Sequence, residues 1–220
     1  MKIEKHGLII TGGALNLGFA EAFLQENRFD VVVAVDGGLK YVQELQIRPD
    51  AVVGDFDTIN SEILEKYLHQ PDLRLERHNP VKDQTDTELA IDTAVDMGCT
   101  SLTILGALGG RMDHALGNIH LMYPCLKQGI SVMIADEKNR IYLLNPGEHK
   151  FFRVSTFGKY VSFLPLSESV AGITLQGFKY PLKDADIQIG TSLCISNELS
   201  EDVGICSFQT GILICIESKD

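Results

Sequence analysis

Read as apolar and polar positions, the chain changes rhythm near residue 136. Before it, short β-branched runs alternate with longer stretches whose apolar residues recur at helical spacing. The runs are GLIIT (7–11), VVVAVD (31–36), AVVGD (51–55), LRLERH (73–78), SLTILG (101–106) and SVMIAD (131–136). Leu89, Ala90, Ala94, Val95 and Met97 form one helical stripe, and Met112, Ala115, Leu116, Ile119 and Met122 form another. Thr85 and Thr87 stand where N-caps belong, with Glu88 three residues after Thr85 as in a capping box. Strand–helix alternation of this kind predicts a parallel sheet covered on both faces.

Beyond Asp136 the helical period disappears. NPGEH (145–149) reads as a turn, and YVSFLPL (160–166), GITLQGF (172–178), SLCIS (192–196), GICSFQ (204–209) and GILICIE (211–217) read as short strands. Thr210 and Gly211 predict a tight hairpin between the last two. The expectation is an α/β fold: a parallel-sheet domain over 1–140, then an all-β sandwich over 141–220, with the boundary within 137–150.

Composition narrows the classes. The chain has 220 residues, 45% hydrophobic and 22% charged, which is ordinary globular usage. Its 30 acids against 19 bases leave a net charge of −11, the wrong sign for a nucleic-acid footprint. Cys99, Cys125, Cys194, Cys206 and Cys215 make an odd set without a CxxC pair, so small buried thiols in a reducing compartment are expected. No apolar run reaches the roughly 18 residues of a membrane span. The opening GLIITGGALNLGFAEA (7–22) is split by TGG, which reads as strand, turn and helix and not as an export signal. A cytoplasmic protein without membrane contact is the expectation.

The unusual residues fall where the strands end. TGG (11–13), DGG (36–38), GDFD (54–57), KDQTD (82–86) and GALGGRMDH (106–114) would all lie at the carboxyl edge of the sheet, where open α/β folds bind ligands. Any one of them is an ordinary turn. Several at one edge point to a site. In extended chain, Asp55 and Asp57 would point the same way about 7 Å apart, repelling by roughly 2 kcal/mol at an effective dielectric of 20. A solvated turn accounts for that pair, but it leaves the second acidic loop, with Asp83 and Asp86, unexplained. A cation would reverse the sign of the repulsion, and Mg²⁺ suits carboxylates that share it with waters and phosphates. GGRMDH adds the opposite charge. Arg111 either forks onto phosphate oxygens or pairs with Asp113, while Gly109, Gly110 and a helix start invite an anion. His114 either reaches the ligand or caps the helix. No P-loop, GxGxxG, GxSxG or HExxH occurs.

Taken in order, VDGGLKYV (35–42), VVGDFDTI (52–59), KDQTDTELA (82–90), GALGGRMDHALGNI (106–119), GFKYPL (177–182) and SNE (196–198) make the chain resemble the thiamine pyrophosphokinases (thiamine diphosphokinases) over nearly its whole length. The resemblance implies an α/β nucleotide domain, a β-sandwich and a homodimer whose active site joins one subunit's α/β domain to the partner's sandwich. It implies that ATP gives its terminal diphosphate to the hydroxyethyl group of thiamine, leaving AMP. Asp55, Asp57 and Asp83 would hold Mg²⁺. Asp36, Gly37, Thr85, Asp86, Gly110, Arg111, Asp113, His114 and Asn118 would line the ATP and diphosphate region. Tyr180, Ser196 and Asn197 would touch thiamine. Animal members place tryptophan where this chain, which has none, has Tyr180. Asp86 and Asp113 are both candidates for general base. A Mg²⁺-dependent kinase or phosphohydrolase acting on another small alcohol is the enzyme alternative. A catalytically silent sensor would be expected to lack a carboxylate.

Overall fold

The computed structural model describes residues 4–56, 65–67, 70, 72–77 and 84–220. The chain divides into two compact units, Met1–Glu137 and Lys138–Asp220.

The first unit runs β1 (His6–Ile10), α1 (Leu17–Glu26), β2 (Val31–Val35), α2 (Gly38–Glu44), β3 (Ala51–Gly54), β4 (Arg74–Arg77), α3 (Asp86–Asp96), β5 (Ser101–Leu105), α4 (Met112–Lys127) and β6 (Ser131–Ala135). Its strands lie in the order β4-β3-β2-β1-β5-β6, each parallel to its neighbours. Leu8, Ile10, Ala34, Val52 and Leu105 pack with Ala20 and Phe23 of α1 and Leu39 and Val42 of α2. By the alternation of the pleat, Ile9, Val33, Val53 and Ile104 face the other side, and all four are fully buried. Helix α3 covers β2 and β3 there, and α4 covers β6. Both faces are sheathed there, which is why β1, β2, β3, β5 and β6 read as continuous apolar runs, whereas the edge strand β4 is exposed.

Helix entry follows local chemistry. Asn16 caps α1 by accepting the Phe19 N–H at 3.0 Å, and Thr85 caps α3 by accepting the Glu88 N–H at 3.2 Å. The stripes expected on α3 and α4 are turned. Helix α4 buries Ala115, Asn118, Met122 and Cys125, leaving Met112 67% and Leu116 52% exposed. On α3 only Ala90 and Ala94 of the expected stripe are buried, with Thr87, Ile91 and Thr93 completing the face.

The second unit comprises β7 (Asn139–Leu144), β8 (Gly147–Phe152), β9 (Tyr160–Pro165), β10 (Ser169–Gln176), β11 (Leu182–Gln188), β12 (Val203–Phe208) and β13 (Leu213–Ser218). Antiparallel pairing gives one set β7-β13-β9 and another β11-β10-β12-β8. Both sets feed one cluster that includes Phe151, Val161, Phe163, Ile173, Leu175, Phe208 and Leu213. Phe151, Phe163 and Phe178 meet edge to face at 5.5–5.8 Å in its middle.

Two strand expectations are corrected here. The runs 204–209 and 211–217 do not form a hairpin: β12 pairs with β10 and β8, whereas β13 pairs with β7 and β9. Each carries an apolar stripe into the common cluster, so the chain crosses between sheets at Thr210–Gly211. Gly211 makes the crossing with φ 93, where an added Cβ would lie 2.5 Å from the Ser169 carbonyl oxygen. Residues 192–196 are turns, tied to β9 by the Phe163 N–H to Cys194 carbonyl bond at 3.0 Å and interrupted at Ser196 (φ 57). Strands β7, β8 and β11 are additional. β8 and β11 are the edges of their sheet and bury one side chain each, which hides them from an apolar pattern. All five cysteines are free and buried. Among the described residues no helix is long and apolar enough to cross a membrane.

Candidate active site

The strand order of the first unit reverses between β1 and β5, so the loops leaving these neighbours part to opposite faces and open a crevice. Here the glycines act. The Thr11 N–H donates to the Leu105 carbonyl at 2.9 Å, and the Ala14 N–H reaches the Gly109 carbonyl at 3.4 Å, locking the two loops together. A Cβ on Gly13 would fall 2.1 Å from the Gly106 carbonyl oxygen, so the loops pass backbone against backbone. Above them lies a cavity of about 540 Å³, lined by Thr11–Gly13, Asp36, Gly37, Thr85–Thr87, Gly106, Ala107, Gly109, Arg111, His114 and Asn118.

Acids converge on its floor. Asp36 directly follows β2 in a left-handed conformation (φ 43) and takes the Phe56 N–H at 3.5 Å. A Cβ at Gly54 would sit on the Asp36 carboxylate, so glycine is what lets β3 end there. Burial, then the charge of Asp86 and a hydrogen bond shared with it, push Asp36 up to about 7, with Asp55 adding to the rise. Asp55 is thus an electrostatic neighbour of Asp36, although it does not line the cavity. The other two residues expected to hold metal, Asp57 and Asp83, lie outside the described residues. Among the described residues no three acidic, histidine or cysteine side chains form a metal cage by themselves.

Two helix starts border the cavity. Thr85 and Asp86 open α3, and Arg111 precedes α4 without a side-chain cap. Arg111 and Asp113 form a two-pronged ion pair, Nε to Oδ1 at 3.1 Å and Nη2 to Oδ2 at 2.6 Å. The guanidinium holds the Asp113 carboxyl down at about 2, and Asp113 also accepts the His114 N–H at 3.0 Å. Gly110, beside the lining residue Gly109, turns with φ 108. Asn118 is buried and donates its side-chain amide to the Ala107 carbonyl at 2.9 Å, pinning the glycine loop to α4.

In the second unit, Tyr180 is 56% exposed while Asn197 is 2% exposed. The Asn197 amide brackets the Tyr180 peptide: Oδ1 accepts the Tyr180 N–H at 3.0 Å, and Nδ2 donates to the Tyr180 carbonyl at 2.9 Å. Oδ1 also accepts the Glu198 N–H at 3.0 Å. Ser196 donates its backbone N–H to the Ser162 hydroxyl at 2.9 Å. Of the three residues expected to touch thiamine, Tyr180 alone extends an exposed ring, and Asn197 is committed to holding it.

Residues 24–134 match the family model described as thiamin pyrophosphokinase, catalytic domain, and residues 148–213 match the one described as thiamin pyrophosphokinase, vitamin B1 binding domain. Thiamine pyrophosphokinase of Bacillus subtilis (strain 168) is 38% identical over 212 residues, 96% of this chain and 98% of that one. The chain belongs to the thiamine pyrophosphokinase family. The fold agrees: the crystal structure of the Bacillus subtilis family member superposes with a TM-score of 0.87 at 36% identity, covering 98% of this chain and 100% of that one. The Geobacillus thermodenitrificans structure gives 0.84 at 35% identity, covering 98% of each chain. Yeast thiamin pyrophosphokinase, at 15% identity, shares the fold with a TM-score of 0.80 over 98% of this chain and 86% of its own.

Within this family framework, Asp36, Asp55, Asp86, Arg111, Asp113, His114 and Asn118 lie in the catalytic-domain match, and Tyr180, Ser196 and Asn197 in the vitamin B1 match. Thr11, Gly12 and Gly13 line the cavity although that catalytic match begins at residue 24. Thr11, Thr87 and Ala107 are lining residues that the sequence motifs contain without marking individually. Thr11 carried a signal, being a polar residue at the end of an apolar strand. Thr87, inside the first turn of α3, gave only the look of a cap.

Proposed function

We propose that this chain is a thiamine diphosphokinase: it transfers the terminal diphosphate of ATP to the hydroxyethyl group of thiamine, giving thiamine diphosphate and AMP. The observation that carries the reading is the cavity at the strand-order reversal, where bare glycine loops and two helix starts, suited to polyphosphate, stand over carboxylates.

The donor set is oxygen only, which fits Mg²⁺, an ion that takes few protein carboxylates and completes its shell with waters and phosphates. Asp55, with Asp57 and Asp83, would hold it, close to the Asp36–Asp86 pair. When bound it supplies charge neutralisation for the polyphosphate. The chain's own groups do the rest. Backbone N–H groups of the glycine loops orient the phosphates, and Arg111, released from Asp113, supports the transferred group. The thiamine hydroxyl oxygen forms a bond to the β-phosphorus as the bond from that phosphorus to the α,β-bridging oxygen breaks, and AMP leaves with that oxygen. The hydroxyl proton passes to a carboxylate. Asp86, which shares a hydrogen bond with Asp36, and Asp113, once Arg111 has turned to the phosphates, are the two candidate acceptors.

The N-terminal unit is assigned as the ATP- and Mg²⁺-binding catalytic domain, and the C-terminal unit as a β-sandwich for thiamine binding and dimerisation in the cytoplasm. Tyr180 would stack on the flat rings of thiamine, held there by Asn197, in a homodimer whose partner subunit completes the site. The test is product identification with ATP, Mg²⁺ and thiamine. Equimolar AMP and thiamine diphosphate are expected; ADP or free phosphate would refute the reading.

A further inference from the structure

The second unit carries the tripeptides GKY (158–160) and FKY (178–180), and their lysines meet at one carboxylate. Lys179 Nζ lies 3.0 Å and Lys159 Nζ 3.8 Å from the same oxygen, Oε1 of Glu198. Each ammonium also stands over the tyrosine that follows it: Lys179 is 5.5 Å from the centre of the Tyr180 ring, and Lys159 is 5.0 Å from that of Tyr160. Tyr160 is half-buried and donates its hydroxyl to Asp220 at 3.3 Å, whereas Tyr180 is exposed. Among the described residues Glu198 is the one acid within ion-pair distance of either lysine.

Backbone bonds fix Glu198 on both sides. Its carbonyl accepts the Lys179 N–H at 2.8 Å, and its own N–H shares Asn197 Oδ1 with the Tyr180 N–H, each at 3.0 Å. The Glu198 side chain is 22% exposed, so most of the carboxylate is covered by the lysines it serves. The Lys179 ammonium holds the Glu198 carboxyl below its ordinary range, which keeps it charged. As surface ion pairs these contacts contribute little to stability. What they change is the charge beside an exposed ring. Two ammonium groups and one carboxylate leave a single net positive charge; without Glu198 both would stand uncompensated, one of them over Tyr180.

We propose that Glu198 is a positioning residue that opens the Tyr180 ring to a cationic ligand, by holding Lys179 and Lys159 in ion pairs that offset their charge. The inference rests on the reading of Tyr180 as the ring on which thiamine stacks. Thiamine carries a fixed positive charge on its thiazolium ring. An aromatic face attracts such a cation, and an unbalanced ammonium on that face opposes it. Glu198 acts through the lysines and needs no contact with thiamine. Its effect therefore follows the charge of the ligand and not its shape.

The test compares thiamine with an isosteric analogue in which an uncharged thiophene replaces the thiazolium, each titrated calorimetrically into the full chain at low salt. Glu198→Gln should weaken thiamine about threefold to fivefold and leave the uncharged analogue within about twofold. Raised salt should shrink the loss. Adding Lys179→Met to Glu198→Gln should bring thiamine back to within about twofold of the wild type, a recovery that a damaged loop would not allow. Thiamine affinity unchanged in Glu198→Gln would overturn the proposal, as would equal losses for the two ligands or no recovery in the double variant. Tyr180→Ala keeps the two readings apart. If it weakens thiamine while Glu198→Gln does not, the role of Glu198 alone falls. If it binds thiamine as the wild type does, the stacking reading fails and this inference falls with it.

Discussion

The two units hold their functional groups in opposite ways. In the first, the groups stand on backbone: Asp36, Thr85, Asp86 and Arg111 are residues that leave a strand or enter a helix, and loops of glycine press against one another beneath them. In the second, an exposed ring on a loop is held by a buried side chain, Asn197, that grips the peptide of Tyr180 on both sides. The first arrangement fails when atoms are added and the second when atoms are removed. A site for a large, highly charged group calls for close backbone approach and many N–H donors. A site for a flat ring calls for one well-aimed aromatic.

The largest effect should come from the acidic floor. Asp55→Asn should lower kcat by about 10²–10³-fold, the scale of losing one charged group from a preorganised site, with Tm little changed. Steady-state kinetics beside thermal melts check it, and near-wild-type turnover would remove Asp55 from the metal assignment. Adding one methyl at Gly13 comes next. With its Cβ 2.1 Å from the Gly106 carbonyl oxygen, Gly13→Ala should cost about 3 kcal/mol or more in denaturant unfolding. If it costs under about 1 kcal/mol, the loops have room to part and the backbone contact is not what shapes the cavity.

In the second unit, Asn197→Ala should cost about 2–3 kcal/mol, because it leaves the Tyr180 N–H and carbonyl and the Glu198 N–H unpaired. It should also raise the KM for thiamine. Tyr180→Ala separates the two roles: stability should stay within about 0.5 kcal/mol while thiamine binding weakens and ATP binding does not. Equal losses for both substrates would end the stacking assignment.

The last prediction is a pH dependence. Asp36 titrates at about 7 in the fold against 3.8 ordinarily, so the native state keeps a proton that the unfolded chain gives up. Metal-free protein should therefore be most stable below about 3.8 in this respect and lose that contribution as pH rises through about 7. Melts across this window should show the fall, and Asp36→Asn should flatten it.

The same contrast explains what could be read from the sequence. Parallel strands buried on both faces leave continuous apolar runs, so β1, β2, β3, β5 and β6 were legible to within a residue or so, and the polar residues ending them marked the crevice; β4, an exposed edge strand, showed only as LRLERH. The second unit kept its connectivity hidden. β12 and β13 both face one core from different sheets, and nothing in GICSFQTGILICIE separates that crossing from a hairpin. The edge strands β8 and β11 bury one side chain each and carry no periodic signal. The Arg111–Asp113 pair was one of two open readings of GGRMDH, and it took the side-chain geometry to show it. That Asn197 grips Tyr180 across 17 residues follows from loop geometry, which no spacing rule encodes.

The central claim is that polyphosphate is seated by the strand-end loops of the first unit. A crystal structure of the protein with Mg²⁺ and a non-hydrolysable ATP analogue tests it most directly. The account predicts the triphosphate against Gly12, Gly13, Gly37 and Gly109, with the ion on Asp55 and its neighbouring carboxylates. A triphosphate bound away from these loops, or an ion bound without Asp55, would contradict it.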